Sequence, residues 1–490
     1  MPPPEDEGPA SAGVAHINAH GKQHFGGVLR CRWTEGKGRV VHATRDFAEG
    51  EVVLAESPLH IVQEDESPAF QRLQELCREH GAHFDYEPLW YWCALKSLTR
   101  AELAGARCGG WAAAEDLTQR NLLLLHHEEV EEPSRSSEIL VEELAPGAAA
   151  ILVERLTQIW VLNCFEYSDD PQGYSTYFFS SFMSHSCWPN AVWHYDGTDH
   201  VVRARRPIGA GEEVCISYLP EHGLMQSAPV RRLELHDTKR FWCACERCGG
   251  PRDLSRGLVC PACEKGRVFA RTPDAGPAQS DALLAAHLAG AVCDACGHAV
   301  TKREAGKLAS QEKRLKAVVE ELKGFAESPR GAQCAPVKDL QGHEAFVDAA
   351  FAQHALADLA WEQLADCYAA HQRSADQRRL LERRCAFHAA AYEGLNGSHA
   401  WALEAQADAL MHSGRGKAAK QASKRVWQVA AKEDPEQALR LYGEAQRILD
   451  LMFGEEHEYA THVGRKRRAA ERALAALREA APADGKGEEA

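Results

Sequence analysis

Three cysteines within six residues, Cys243, Cys245 and Cys248, concentrate more thiol in one stretch than core packing asks for. A tetrahedral structural zinc takes four such ligands, so this run supplies three and needs a fourth from elsewhere in the chain. A second set, Cys260-Pro261-Ala262-Cys263 and Cys293-Asp294-Ala295-Cys296-Gly297, forms two Cys-x-x-Cys knuckles, the ligand pattern of a zinc ribbon. A dithiol redox pair would need only one such knuckle, usually in a thioredoxin-like setting. Most of the other cysteines among the 17 are scattered singly. The opening MPPPEDEGPASAGVAHINAHGK lacks the basic start and apolar run of a signal peptide. The expected compartment is therefore the reducing cytosol or nucleus, where metal rather than disulfide accounts for clustered thiols.

At 490 residues the chain is long enough for two to four domains. No run of about eighteen apolar residues appears, so no membrane association is expected. A net charge of -15 argues against direct, sequence-independent nucleic-acid binding and suits attraction of a basic protein. Residues from about 25 to 61 and from about 174 to 219 alternate and turn as strands do, as in Ala191-Val192-Trp193 and Val214-Cys215-Ile216. Between them, apolar residues recur at three- and four-residue spacing, the mark of helices. The expected fold class is α+β and multidomain. Its parts are a disordered leader 1–24, a β-rich domain 25–220 split by a helical insert at about 62–160, a cysteine segment 236–250, a ribbon-like segment 256–300, helical repeats 303–478, and a disordered tail 479–490. In the last domain Leu356, Ala360, Leu364, Cys367 and Tyr368 form one apolar stripe, and Ala438, Tyr442, Ala445, Leu449 and Met452 another. Asp434-Pro435-Glu436-Gln437 reads as a helix start, and His343, His399 and His457 as turn residues. Such helices resemble tetratricopeptide-like repeats, which bind peptides on a concave side, or form a bundle that buttresses the β-rich domain.

Four stretches, taken in order, resemble a SET domain with its post-SET cysteines. They are Gly36-Lys37-Gly38-Arg39, Asn163-Cys164-Phe165, Ser184-His185-Ser186-Cys187-Trp188-Pro189-Asn190, and Gly211-Glu212-Glu213-Val214 running to Tyr218, with Phe241 just beyond. The helical insert and the trailing helices make the SET and MYND domain family the nearest likeness. The MYND finger itself is missing, since the insert holds only Cys77, Cys93 and Cys108, widely spread.

The resemblance implies an S-adenosylmethionine-dependent protein-lysine methyltransferase with two zinc sites, acting on a histone tail or another lysine-bearing protein. Lys37, Gly38 and Arg39 would contact the methionine moiety of the cofactor, Asn163 would hydrogen-bond it, and Ser184 and His185 would meet the adenosine. Phe241 would stack on the adenine edge, and Phe165 would line the lysine channel with Tyr218. Tyr218 would be the catalytic residue, also touching the cofactor, and Cys187 the fourth ligand of the first zinc. Asn190 would tie crossing segments together. Methyl transfer is an in-line displacement, in which holding the two reacting centres aligned supplies about 7–11 kcal/mol. It also needs a neutral amine, which a narrow aromatic channel favours. Two positions depart from the family pattern. Ser184 stands where asparagine is usual, and Lys239 where a second tyrosine often lies, which would put charge at the channel mouth or in solvent, with Tyr177 as a substitute. These departures motivate the rival reading, a catalytically silent zinc-binding scaffold for protein–protein interaction. A nucleic-acid-binding ribbon is the third reading, disfavoured by charge.

Overall fold

A computed structural model describes residues 9–106, 111–272, 281–327, 335–413 and 424–479. Residues 1–8, Cys108, the stretch 273–280 and the tail 480–490 lie outside the described residues. The chain forms two compact units, residues 1–185, 190–216 and 237–240 in the first, and 186–189, 217–236 and 241–490 in the second.

The first unit begins with α1 (Pro9–Phe25), where a disordered leader is expected from the sequence. Val14 and Ile17 are buried in the core, one helical turn apart. Asn18 fixes the helix by accepting from Cys31 N at 2.8 Å and donating to Cys31 O at 3.0 Å. The Pro- and Glu-rich opening hides this short stripe in a composition-based reading. The hairpin β1 (Leu29–Thr34) and β2 (Gly38–Ala43) turns through Gly36 and Gly38, at φ 86° and 70°, which a side chain would strain. Strands β3 (Val52–Glu56) and β4 (His60–Gln63) follow. Six helices come next: α2 (Pro68–Glu79), α3 (Pro88–Lys96), α4 (Arg100–Leu103), α5 (Leu117–Leu123), α6 (Arg135–Leu144) and α7 (Ala150–Asn163). The chain returns to β5 (Phe165–Asp169), β6 (Gln172–Thr176), β7 (Ser184–His185), β8 (Ala191–Asp196), β9 (Asp199–Ala204) and β10 (Cys215–Ile216). Strands separated by the helices pair across them, β4 with β6 and β3 with β9, both antiparallel. β7 and β10 run parallel, with Ile216 beside His185.

The second unit carries α8 (Glu221–Leu224), most of α9 (Ala228–Lys239), α10 (Glu246–Gly249), β11 (Arg256–Val259), β12 (Arg267–Phe269) and α11 (Asp281–Leu288). It continues as α12 (Lys302–Glu327), α13 (Val337–Ala350), β13 (Phe351–His354), α14 (Ala355–Ala370), α15 (Ser374–Ala391), α16 (Gly397–Ser413), α17 (Lys424–Phe453) and α18 (Glu458–Glu479). From α14 onward each helix packs on the next. Ala438, Tyr442, Ala445, Leu449 and Met452 are all buried. The larger of these side chains stabilise the stack by about 1.5–3 kcal/mol each.

Asp434-Pro435 is not a helix start, because α17 runs on from Lys424 with Pro435 inside it. Asp434 instead pairs with Arg378 at 2.8 Å, so its charge serves a partner helix rather than a cap. Nor are His343 and His399 turn residues. They lie within α13 and α16, where His399 stacks on His388. His457 does precede α18, and its Nδ1 accepts from Tyr459 N.

The ribbon strand β11 pairs with both β12 and β13. A buried ionic group reinforces that junction. Arg256 donates to Glu312 at 2.9 Å, and His354 Nε2 lies 3.7 Å from the same carboxylate. Burial alone would raise Glu312, but His354 and Arg256 bring it down to about 2. A depressed carboxylate contributes stability above its unfolded value of 4.5 and loses it as pH falls toward about 2. Glu312→Gln is therefore expected to cost about 3 kcal/mol at neutral pH. In thermal denaturation, the gap between variant and wild type should narrow as pH is lowered through about 4. A gap of constant size would exclude this role.

Candidate cofactor, lysine and zinc sites

The β1–β2 turn places Lys37 and Arg39 differently. Lys37 Nζ reaches both oxygens of Glu213, at 3.1 and 2.9 Å. Arg39 lies over the Phe182 ring, 4.9 Å from its centroid, and donates to Leu124 O. Burial lowers its pKa, and among the described residues no carboxylate pairs with it. It lines a cavity of about 190 Å³ with Trp33, Trp111, Leu124 and His127. A guanidinium between aromatic walls, with no carboxylate partner among the described residues, suits a carboxylate-bearing ligand.

Glu213 links two of the motifs read from sequence. Lys37, with the Ser184 hydroxyl nearby, holds the Glu213 carboxyl below its usual range against burial. Ser184 lies opposite Cys215 where β7 runs beside β10. Asn190 donates to Glu212 and to the Glu213 carbonyl, and accepts from Cys215 N at 2.8 Å. It ties the segment entering β8 to the one entering β10. Glu213 falls in one of the stretches read from sequence, but its role follows only once its partner Lys37, 176 positions away, is known.

Asn163 is buried at the end of α7, and its amide is spent on the chain itself. It donates to His126 O and Ile159 O, both at 2.7 Å, and accepts from His126 N at 3.2 Å. Both amide hydrogens are used, which leaves one acceptor lone pair for any ligand. Asn163 thus fixes the loop running from Leu124, one wall of the Arg39 cavity.

Lys239 is half-buried rather than pointing to open solvent. Its ammonium donates to Val161 O and Leu162 O, both at 3.3 Å. These are last-turn carbonyls of α7, where a cation satisfies groups the helix leaves unpaired. Tyr177 does not replace the missing tyrosine as an available hydroxyl either. It is fully buried and donates to Thr198 O at 2.7 Å, and burial pushes its phenol up to about 12.

Phe165 sits in an aromatic cluster, with ring centroids 5.6 Å from Tyr177, 5.3 Å from Trp193 and 4.5 Å from His200. Burial drives His200 down to about 3, so the cluster carries no positive charge of its own near neutrality. His185 is buried beside Ile216. In the second unit Tyr218 is 37% exposed, and Phe241 meets its ring edge-on with centroids 6.3 Å apart.

Cys187, Cys243, Cys245 and Cys248 bring their sulfurs within 4.8 Å of one another, as do Cys260, Cys263, Cys293 and Cys296. Zinc–sulfur bonds of about 2.3 Å in a tetrahedron set sulfur–sulfur edges of about 3.8 Å. The observed separations include 4.0 Å for Cys187–Cys243, 3.9 Å for Cys260–Cys296 and 3.8 Å for Cys263–Cys293. Both sets therefore fit a zinc ion without rearrangement. Buried Arg231 donates to Cys248 Sγ at 3.4 Å, and Cys187 N donates to Cys245 Sγ at the same distance. Such donors offset the negative charge that four thiolates bring to one metal. At the second set, a Cβ on Gly266 would lie 2.3 Å from Cys293 Sγ, so only glycine leaves room there. Arg247 ties the first cysteine set to the helices, donating to Ser255 Oγ and Ala391 O and lying over the Tyr392 ring.

The SET domain family model matches residues 38–219. Among curated proteins, the Arabidopsis thaliana Histone-lysine N-methyltransferase ASHR1 is 35% identical over 92 residues, 18% of this chain and 18% of that protein. The Drosophila melanogaster SET domain-containing protein SmydA-8, isoform B, is 34% identical over 109 residues, 21% of this chain and 24% of that protein. The Mus musculus Histone-lysine N-methyltransferase SMYD3 is 40% identical over 68 residues, 14% of this chain and 15% of that protein. The matched stretches thus span less than a quarter of the relatives' lengths. A solved structure described as the SET domain of LSMT bound to Lysine and AdoHcy is 10% identical, with a TM-score of 0.32 over 78% of this chain and 92% of that one.

Proposed function

We propose, from the SET domain family match over residues 38–219, that the chain is a protein-lysine N-methyltransferase using S-adenosylmethionine. One observation carries the reading: Lys37 of the hairpin turn pairs with Glu213, two residues before the strand that runs beside Ser184–His185, next to an arginine that lacks a carboxylate partner among the described residues. When bound, S-adenosylmethionine supplies a methyl group activated on a sulfonium. Arg39 would pair with its carboxylate, Lys37 and Gly38 would shape the turn around it, and His185 and Ser184 would face its adenosine. Phe241 would cover the adenine edge. The Phe165 cluster disfavours an ammonium and so favours the neutral amine that attack requires. Tyr218 would orient that amine and help its proton leave. Asn163 and Lys239 act by fixing the end of α7, immediately before Phe165.

The substrate proposed is a lysine on a basic protein segment, in a histone or a non-histone protein, drawn by the net charge of -15. The trailing helices are a candidate surface for a peptide partner. Cytosol or nucleus is the proposed compartment, supported by two four-cysteine clusters that suit metal rather than disulfides. Incubation with methyl-labelled S-adenosylmethionine and core histones, or a cell extract as substrate, followed by amino-acid analysis, tests the activity. Label recovered as methyl-lysine is expected. A cofactor-binding protein that labels no lysine in either substrate would leave the scaffold reading.

A further inference from the structure

Glu56, the last residue of β3, is almost fully buried and carries no ion pair among the described residues. Its carboxylate faces three donors instead. Oε1 accepts from Phe179 N at 2.6 Å, and Oε2 accepts from Ser180 N at 2.9 Å and Ser180 Oγ at 2.8 Å. Those donors open a single 3-10 turn, Ser180–Phe182, which leads through Met183 into β7. The turn has no side-chain cap of its own. Two site components hang from it. Phe182 is the ring beneath the Arg39 guanidinium, and Ser184 and His185 follow directly.

We infer that Glu56 is a positioning residue for the cofactor site, its buried carboxylate anchoring the turn that places Phe182 under Arg39 and delivers Ser184 and His185. The inference rests on the functional reading above and assigns that site a residue outside its motifs. Burial pushes Glu56 up to about 7 against the pull of its donors. The anchor should therefore respond to pH near neutrality. Above that value both oxygens accept. Below it, one oxygen carries a proton and opposes an amide donor. Titratable groups near Glu56 are Tyr177, its cross-strand neighbour His200 with Asp199 beside it, and His20 of α1, whose ring meets Phe178 and which burial lowers to about 4. Tyr177 is held up at about 12 and His200 down at about 3, so neither changes charge near neutrality. Asp199 accepts from Ser57 Oγ at 2.8 Å.

The test uses the full, zinc-loaded chain with Glu56→Gln and Ser180→Ala, checked for wild-type helix content. Titration with S-adenosylhomocysteine should show Glu56→Gln weakened about tenfold at pH 8, and Ser180→Ala by less. Wild-type affinity should fall as pH drops from about 8.5 to about 6, and that dependence should be absent in Glu56→Gln. A residue holding only the fold would leave the two pH profiles parallel. Amide exchange over residues 178–185, compared at one pH, should be faster in Glu56→Gln. Wild-type affinity and exchange in Glu56→Gln would overturn the inference. If the wild-type chain binds no S-adenosylhomocysteine, the methyltransferase reading falls, and exchange alone decides whether Glu56 anchors the turn.

Discussion

Tyr218→Phe is expected to lower methyl transfer by about 10²–10⁴-fold, the range over which a positioned proton-transfer group acts. The substitution removes one oxygen and keeps the ring, so the edge-on contact with Phe241 survives. Binding of S-adenosylhomocysteine should stay within about twofold of wild type, because the phenol acts on the amine and its departing proton rather than on cofactor binding. Single-turnover kinetics beside calorimetry separates the two. Turnover at the wild-type rate would remove Tyr218 from the chemistry, and equal losses of turnover and affinity would make it a binding residue.

Cys245→Ser should reduce bound zinc from two equivalents per chain to one. A serine hydroxyl is a poor replacement for a thiolate, and structural zinc in small sites contributes about 10–16 kcal/mol of folding free energy. The set it breaks holds Cys187, next to the Ser184–His185 motif in sequence, and Cys243, two residues beyond Phe241. Loss of metal should therefore lower the melting temperature and raise proteolytic sensitivity around residues 241–250. The second set shares no ligand with the first and should keep its ion. Elemental analysis of the purified variant decides the point. Two full equivalents would mean that Cys245 is not a ligand.

Much of the site could be read from spacing because its chemistry is local. The three thiols at Cys243, Cys245 and Cys248 and the two Cys-x-x-Cys knuckles announce metal wherever they fold. Cys187, 56 positions before Cys243, came only through likeness to a family. What spacing could not give is pairing across the chain. Glu56 meets donors 123 and 124 positions away. Lys239 caps carbonyls 77 and 78 positions earlier, a partnership no spacing announces. Asn163 looked like a cofactor ligand, and its amide is occupied by a backbone 37 positions off. At the level of elements, α1 was missed because its buried stripe is only two residues wide. Pro435 misled because proline marks a helix start in most settings but is carried inside α17 here.

The central claim is that Arg39, Glu213, Ser184 and His185 build a working cofactor site. Calorimetric titration of the purified, zinc-loaded chain with S-adenosylmethionine tests it most directly, with Tyr218→Phe alongside. Saturable one-to-one binding by both proteins is the result expected. Absence of binding by either, with both zinc sites filled, would contradict the claim and leave a zinc-stapled scaffold whose function lies in its helices.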